Sequence, residues 1–445
     1  MKNAAVLLFI LLFRITPELK AQDSTAQNLA MNLEDVVDFA LKNSPLVLQS
    51  GLDQRIGERQ IRSSLSGWLP QVSANFQSSN NIKLQTQPIG GELITFGQPY
   101  ASNLNFEVNQ TLFSRDQFFA SKAAGLVRTE LSQSLETDRI NTVVAVAKVY
   151  YDILLTQEQI RILDENLLRQ EKQFKDAKSR FDVGLVDKTD YQRAGITLAN
   201  LKSDKNRFQT SIKAKHAFLK ELIGYPVDED LSLTFDYETM EERASLDAAT
   251  SFELENRVEY LLAKTQFATT ELTTKYAQWA YIPEFSGFYT YNYLFFSPEL
   301  ANLYSRSFPT SVVGVRVAIP LFQGGKRLQE VKLARLQEER AEVGLRDFEK
   351  QLNTEYQTAT SNYEASYFDW QTLQTNAQLA EEVYNTIKMQ YDEGVKAYVD
   401  LIVAETELRT AQLNLYNALF NVLSSKLDLM RSLGQIQPSS FDSSL

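Results

Sequence analysis

Twice along the chain, apolar and small residues recur at alternating steps of three and four, the spacing of a coiled-coil seam. Ile160, Leu163, Leu167, Phe174, Ala177 and Phe181 carry the first seam into RFDVGLVDKTDY, residues 180–191. Tyr191, Ala194, Leu198, Leu201, Phe208, Ile212, Leu219 and Leu222 carry it away again, interrupted only at Lys205 and Lys215. The pattern returns in phase at an offset of 210. Trp370, Leu373, Ala377, Tyr384, Ile387 and Tyr391 lead into QYDEGVKAYVDL, residues 390–401. Leu401, Ala404, Leu408, Ala411, Leu415, Ala418, Val422, Ser425 and Leu429 lead out. Each copy is predicted to be a helical hairpin with a coiled-coil seam between its arms.

The arms are unequal. The incoming helix of the first copy can run from about Asp116 to Phe181, roughly 100 Å at ~1.5 Å per residue, whereas the returning helix, about Lys188 to Ile223, reaches half as far. The missing length is predicted at the start of the chain, where Leu33, Val36, Val37, Ala40, Leu41 and Leu48 open an amphipathic helix continuing to about Trp68. It would stack end to end on the returning helix. In the second copy, about Glu253 to Tyr281 plays this part beside Gly325 to Tyr391.

Between the short and long helices the period changes to two. Both copies switch at a proline, in WLP (Trp68 to Pro70) and YIP (Tyr281 to Pro283). Asn103, Asn105, Glu107 and Asn109 then alternate with Leu104, Phe106 and Val108; Phe285, Tyr289, Tyr291, Tyr293 and Phe295 crowd another stretch; Val313, Val315, Val317 and Ile319 line one face of a further strand, with Arg316 on the other. Four strands of about ten to thirteen residues are predicted, the length a tilted strand needs to span a bilayer. Polar loops, about Gln85 to Tyr100 and Ser297 to Ser307, join each pair. Four strands cannot close a membrane barrel, and open edges in hydrocarbon leave backbone groups unpaired, so closure has to come from other copies; three give twelve strands, and two would give eight around an interior already filled by side chains.

The remaining features narrow the class. The opening MKNAAVLLFILLFRITPELKAQ has a basic start, an apolar core at Ala4 to Phe13 and a polar stretch to Ala21, and is read as a signal peptide over residues 1–21. The expected division is a first repeat at 22–234 (strand pair about 70–113, hairpin tip 183–186), a second at 235–434 (strand pair about 283–320, tip 393–396), and a tail at 435–445. No later segment offers eighteen unbroken apolar residues, so a membrane contact of the mature chain would use strands or a surface. With no cysteine there are neither disulfides nor thiolate metal sites. Beyond residue 21 the chain holds 42 basic and 55 acidic residues, a balance unlike that of nucleic-acid binders.

Catalytic chemistry finds no foothold. His216 is the only histidine and lies off the seam, on a helix face expected to be solvated. Gly90 to Gly91 and GQP at Gly97 to Pro99 read as loop punctuation, and QGGK at Gln323 to Lys326 lacks the remaining P-loop spacing and its Ser or Thr. No nucleophile with a base, metal set or cofactor motif is present, so neither an enzyme nor a cofactor is expected. Asp190 and Asp400, just past the turns, fit helix N-capping, and Gly184 and Gly394 fit tight reversals.

The opening MNLEDVVDFALKNSP, the proline-led strands, NRVEY at Asn256 to Tyr260, IPLFQGGKR at Ile319 to Arg327 and the paired turns, in this duplicated order, resemble the TolC family of outer-membrane efflux proteins over essentially the whole mature chain. The resemblance implies a mainly α protein with a transmembrane β part: a homotrimer with a 12-stranded β-barrel in the outer membrane and a coiled-coil periplasmic tunnel. It implies a passive exit duct for a tripartite efflux or type I secretion system, opened at its tip by a periplasmic adaptor and an inner-membrane transporter. Val183, Gly184 and Leu185 match the family's adaptor-contacting turn; the second tip, with Gly394 and Val395, reads EGV where the family often has VGA. Asp190, Tyr391, Lys396 and Asp400 stand at the columns of the family's entrance latch, with Lys396 in place of a frequent arginine and Val403 where some members carry a further acidic ring. The alternative from another class is an exported trimeric coiled-coil scaffold or adhesin without a pore.

Overall fold

The computed structural model describes residues 30–184, 187–234, 237–245 and 251–438. The expected signal peptide, Leu185 and Val186 of the first tip, and residues 439–445 of the tail lie outside the described residues. Eight α-helices and six strands are found among them. The first copy runs α1 (Leu33–Asn43), α2 (Pro45–Leu65), β1 (Gln71–Asn80), β2 (Gln85–Ile89), β3 (Glu92–Phe96), β4 (Tyr100–Phe113), α3 (Arg115–Asp182) and α4 (Lys188–Ile223). After α5 (Tyr237–Ala244), the second runs α6 (Val258–Gln278), β5 (Glu284–Ser297), β6 (Ser307–Ala318), α7 (Lys326–Asp392) and α8 (Tyr398–Ser432).

Local chemistry explains several helix starts. Asn32 Oδ1 accepts from the Asp35 amide at 2.7 Å while Asp35 Oδ2 accepts from the Asn32 amide, a reciprocal box that starts α1. Ser114 Oγ accepts from the Gln117 amide at the start of α3. The helix expected to run unbroken from Leu33 to Trp68 is divided at Ser44. Pro45 has no N–H to donate and its ring disfavours helical backbone before it, so it opens a new helix instead. In the second copy the expected helix from Glu253 begins at Val258, after a single 3-10 turn at Leu254–Asn256.

The heptad seams pack as the periodicity requires. Leu163, Leu167 and Leu201 form one cluster between α3 and α4. Nearer the turns, Ala177 and Ala194 of the first hairpin join Tyr384, Tyr398, Leu401, Ala404 and Leu408 of the second. The largest core lies at the other end of the short arms, where α1, α3, α4, α7 and α8 meet around Val143, Tyr151, Leu219, Leu419 and Val422. The predicted end-to-end stacking is modified in the first copy, where α4 ends at Gly224 against Asn43, at the α1–α2 junction rather than at the start of the helix at Leu33; in the second, α8 is followed by Gly434 against Asn256, just before α6.

The four long strands form one antiparallel sheet in the order β1-β4-β5-β6, so the two copies join through β4 and β5. The segment from Gln85 to Tyr100, expected to be a plain polar loop, holds a separate hairpin of β2 and β3 turning at Gly90 and Gly91, both at positive φ. Its strands are too short and mixed in polarity for the alternation to reveal them.

Candidate functional site

Register across the sheet sorts its residues onto two faces. One row runs Asn75, Asn105, Asn292 and Thr310, side by side on successive strands. Asn105 Nδ2 donates to Asn292 Oδ1 at 2.6 Å, and Asn292 Nδ2 to Thr310 Oγ1 at 3.4 Å. The three charged residues of these strands, Glu107, Glu284 and Arg316, all fall on this face. The opposite face carries Val72, Val108, Tyr289 and Val313 in one row and Ala74, Phe106, Tyr291 and Ser311 in the next. Water suits the first face and hydrocarbon the second. The outer strands β1 and β6 each pair on one side only, with β4 and β5, and their other edges have no partner among the described residues.

At the far end of the long helices the two turns share one backbone. Gly184 and Gly394 have φ of +76° and +77°, and each amide donates to the carbonyl three residues back, Phe181 at 2.9 Å and Tyr391 at 3.0 Å. Left-handed backbone of this kind favours glycine, and both tips leave Val183 and Val395 exposed. The two returning helices are capped differently. Asp187 caps α4 by accepting from the Thr189 amide, but the matching residue before α8 is Ala397, and Asp400 instead reaches back to accept from the Ala397 amide at 3.3 Å. Asp400 is therefore engaged as a cap, and the Asp190 carboxylate makes no side-chain hydrogen bond among the described residues.

Of the four residues expected at the latch, Tyr391 has the most contacts within one chain. It is half-buried, 5.8 Å from the Tyr398 ring, with the Arg180 guanidinium 5.9 Å from its own ring centroid. Burial raises the Tyr391 phenol; Arg180 opposes this, and Asp190, Asp176 and Asp392 reinforce it, so the hydroxyl stays protonated and available to donate. Lys396 is exposed at the turn and forms no ion pair among the described residues of its own chain. Thus one chain brings Asp190 near Tyr391 and leaves Lys396 exposed. Arg180 was not anticipated; it lies one position before the Phe181 seam residue and carries no motif of its own.

Two further groups take roles that their sequence signals did not show. Arg257, 1% exposed, donates to Ser432 O, Glu259 and Glu355 at 3.1–3.2 Å, tying the start of α6 to the end of α8 and to α7. His216 is half-buried rather than fully solvated, and burial with the nearby Lys220 pushes its imidazole down, keeping it neutral. Among the described residues no cluster of three His, Cys, Asp or Glu is placed to hold a metal, and no helix is long and apolar enough to cross a membrane.

A sheet with one face for hydrocarbon and one for water, joined to paired coiled-coil hairpins, defines a membrane channel with a helical extension. The family model described as "Outer membrane efflux protein" matches residues 36–225 and 253–435. The chain is 22% identical to the outer membrane protein TolC of Vibrio cholerae over 410 residues, 92% of this chain and 91% of that one. It is 20% identical to the alkaline protease secretion protein AprF of Pseudomonas aeruginosa over 423 residues, covering 89% and 83%. Among solved structures it is similar to the Campylobacter jejuni CmeC outer membrane channel, with a TM-score of 0.76 at 17% identity over 92% of this chain and 87% of that one. It is likewise similar to CusC, with a TM-score of 0.75 at 16% identity over 92% and 95%. The chain belongs to the outer membrane efflux protein family. It is an outer-membrane channel of the efflux and secretion type, and the pore-free scaffold or adhesin is not favoured.

Proposed function

We propose that three copies assemble into one passive exit duct, with a 12-stranded barrel in the outer membrane and a helical tunnel below it, and that the duct has no catalytic activity of its own. The observation that carries this is the pair of open strand edges. The strands alternate in direction from β1 to β6, so β6 of one copy and β1 of the next are antiparallel and continue the sheet without a break. Leaving those edges unpaired in hydrocarbon would cost several kcal/mol for each group. Uncovered apolar residues on the helices supply a second seam for neighbouring copies: Leu48, Leu52 and Ile56 on α2, and Leu333, Leu336 and Val343 on α7.

The tips, with Val183, Gly184, Leu185, Gly394 and Val395, are the contact for a periplasmic adaptor, and an inner-membrane transporter supplies the energy. Asp190, Tyr391 and Lys396 form the closing latch, in which Lys396 meets Asp190 of a neighbouring copy; Asp400 contributes by holding the turn. An exposed ion pair is worth ~0–1 kcal/mol, so three equivalent links hold the mouth with about a few kcal/mol, within reach of adaptor binding. The chain's net negative charge makes the duct's specificity mainly electrostatic, attracting cations without selecting a particular cargo. The division into repeats at 22–234 and 235–434 with a tail at 435–445 follows this plan, each repeat giving one strand pair and one hairpin.

The duct reading is tested by purifying the full chain from outer membranes. Heat-modifiable migration as a trimer and discrete conductance steps in planar bilayers are expected; a monomer that never conducts would overturn it.

A further inference from the structure

The two hairpins of one chain are joined, along α3 and α8, by a ladder of polar rungs. Lys148 Nζ donates to Asp428 Oδ1 at 2.7 Å, Gln159 Nε2 to Asn417 Oδ1 at 2.9 Å, and the Tyr416 hydroxyl to Glu158 Oε1 at 3.2 Å. The fourth rung, nearest the tips, sets Arg169 Nε 3.7 Å from Glu405 Oε1. On α3, 148 and 159, and 158 and 169, are each eleven apart; on α8, 428 and 417, and 416 and 405, are too. Eleven residues make three turns of about 3.67, so two nearly straight helices present such positions along one line.

The fourth rung differs from the others. At 3.7 Å it is too long for a hydrogen bond. Glu405 is only 5% exposed, and neither its carboxylate oxygens nor Arg169 Nε has a partner at good hydrogen-bond geometry; Gln173 and Arg169 lie close enough to pull on the carboxylate without closing on it. Around it the Oε1 atoms of Gln173 and Gln412 are also buried without partners. Buried polar groups are nearly always satisfied, so this concentration in one seam marks a contact held short of its best pairing.

We propose that the Arg169–Glu405 rung is a proton-linked release point of the tip: protonated, Glu405 holds α8 against α3 in the closed duct, and ionised, it favours the state in which the helices part and water reaches the carboxylate. This rests on the duct reading above. The groups facing Glu405 are Arg169 from α3, Arg409 and Tyr398 from α8, and Tyr384 from α7, whose ring centroid lies 6.0 Å from the Arg169 guanidinium. Asp190 and Asp392 act on Tyr398 and Tyr384 in turn. Burial raises the Glu405 carboxyl above the usual carboxylate range, and the pull of Gln173, Arg169 and Arg409 offsets this only in part. Parting the helices hydrates the group and returns it toward its ordinary value. The closed form therefore binds the proton more tightly, so acid favours closure and rising pH favours opening.

The full-length trimer in planar bilayers, scanned from pH 4.5 to 8, gives the test. Open probability in the wild type should climb several-fold with pH, and in Glu405→Gln it should stay low and flat. Arg169→Gln removes the cation that steadies the carboxylate, so its rise should move up by about one pH unit. Hydrogen exchange at residues 398–412, compared between wild type and Glu405→Gln at each pH, should diverge only above the midpoint. A conducting wild type whose pH curve matches that of Glu405→Gln overturns the proton link and leaves the duct intact. Absence of conductance overturns both.

Discussion

Gly224 and Asn43 meet backbone to backbone: a Cβ on Gly224 would fall inside the contact radius of the Asn43 carbonyl oxygen. Gly224 has φ of +73°, which satisfies the end of α4 through a left-handed cap while admitting the α1–α2 junction beside it. Gly434, 210 positions later at φ of +71°, stands in the same relation to the Asn256 carbonyl. Gly224→Ala adds both a strained backbone and an overlap, and should destabilise the fold by about 2–3 kcal/mol or more. Thermal melting followed by helical circular dichroism checks this; an unchanged melt would mean the helix ends are not locked.

Arg257 is the charged group whose loss should matter most for stability. Arg257→Met leaves Glu259 with only Arg431, at 3.5 Å, and should lose about 3 kcal/mol. Burial raises the Glu259 carboxyl, but Arg257 and Arg431 outweigh it and the net shift is downward. Its stabilisation is therefore complete above the ordinary value of 4.5 and is lost as pH falls through the lower folded value. An acid titration of stability should show a steeper loss in wild type than in Arg257→Met; parallel curves would count against the network.

At the tips, Asp190→Asn with Lys396→Gln should raise single-channel conductance by weakening the links between copies. Asp400→Ala should act otherwise, lowering the local stability of α8 by about 1 kcal/mol through loss of its cap, read as faster hydrogen exchange in residues 397–402. Unchanged conductance in the double variant would remove the latch.

The two faces of the sheet can be told apart by adjacent substitutions. Phe106→Lys places a charge against hydrocarbon, at about 2–4 kcal/mol near the bilayer midplane, and should reduce the heat-modifiable trimer. Asn105→Lys points to the water side and should leave trimer yield intact. Equal losses would mean the faces have been assigned wrongly.

The parts legible in the sequence are those whose cause is local. Heptad spacing placed α4 at Lys188 to Ile223, as found, and α3 within a residue at each end, because a helix seam is a property of neighbouring positions. The alternation of Asn103, Asn105 and Glu107 with Leu104 and Phe106 showed which face of β4 is wet. Pro45 marked the break between α1 and α2, but amphipathic spacing on both sides concealed it.

What the sequence by itself determined is the duplicated plan: two hairpins turning at glycines, two strand pairs entered at prolines, and a chain with one periodicity for helices and another for a membrane sheet. Tertiary structure alone decided which helices of the two copies meet. Arg257 finds Glu355 and Ser432, 98 and 175 positions away, and Arg169 stops 3.7 Å from Glu405 across the two hairpins. Those distances depend on how α3 slides along α8 and how β4 registers with β5. Such registers are set by many side chains packing at once, and no single stretch of the chain encodes them.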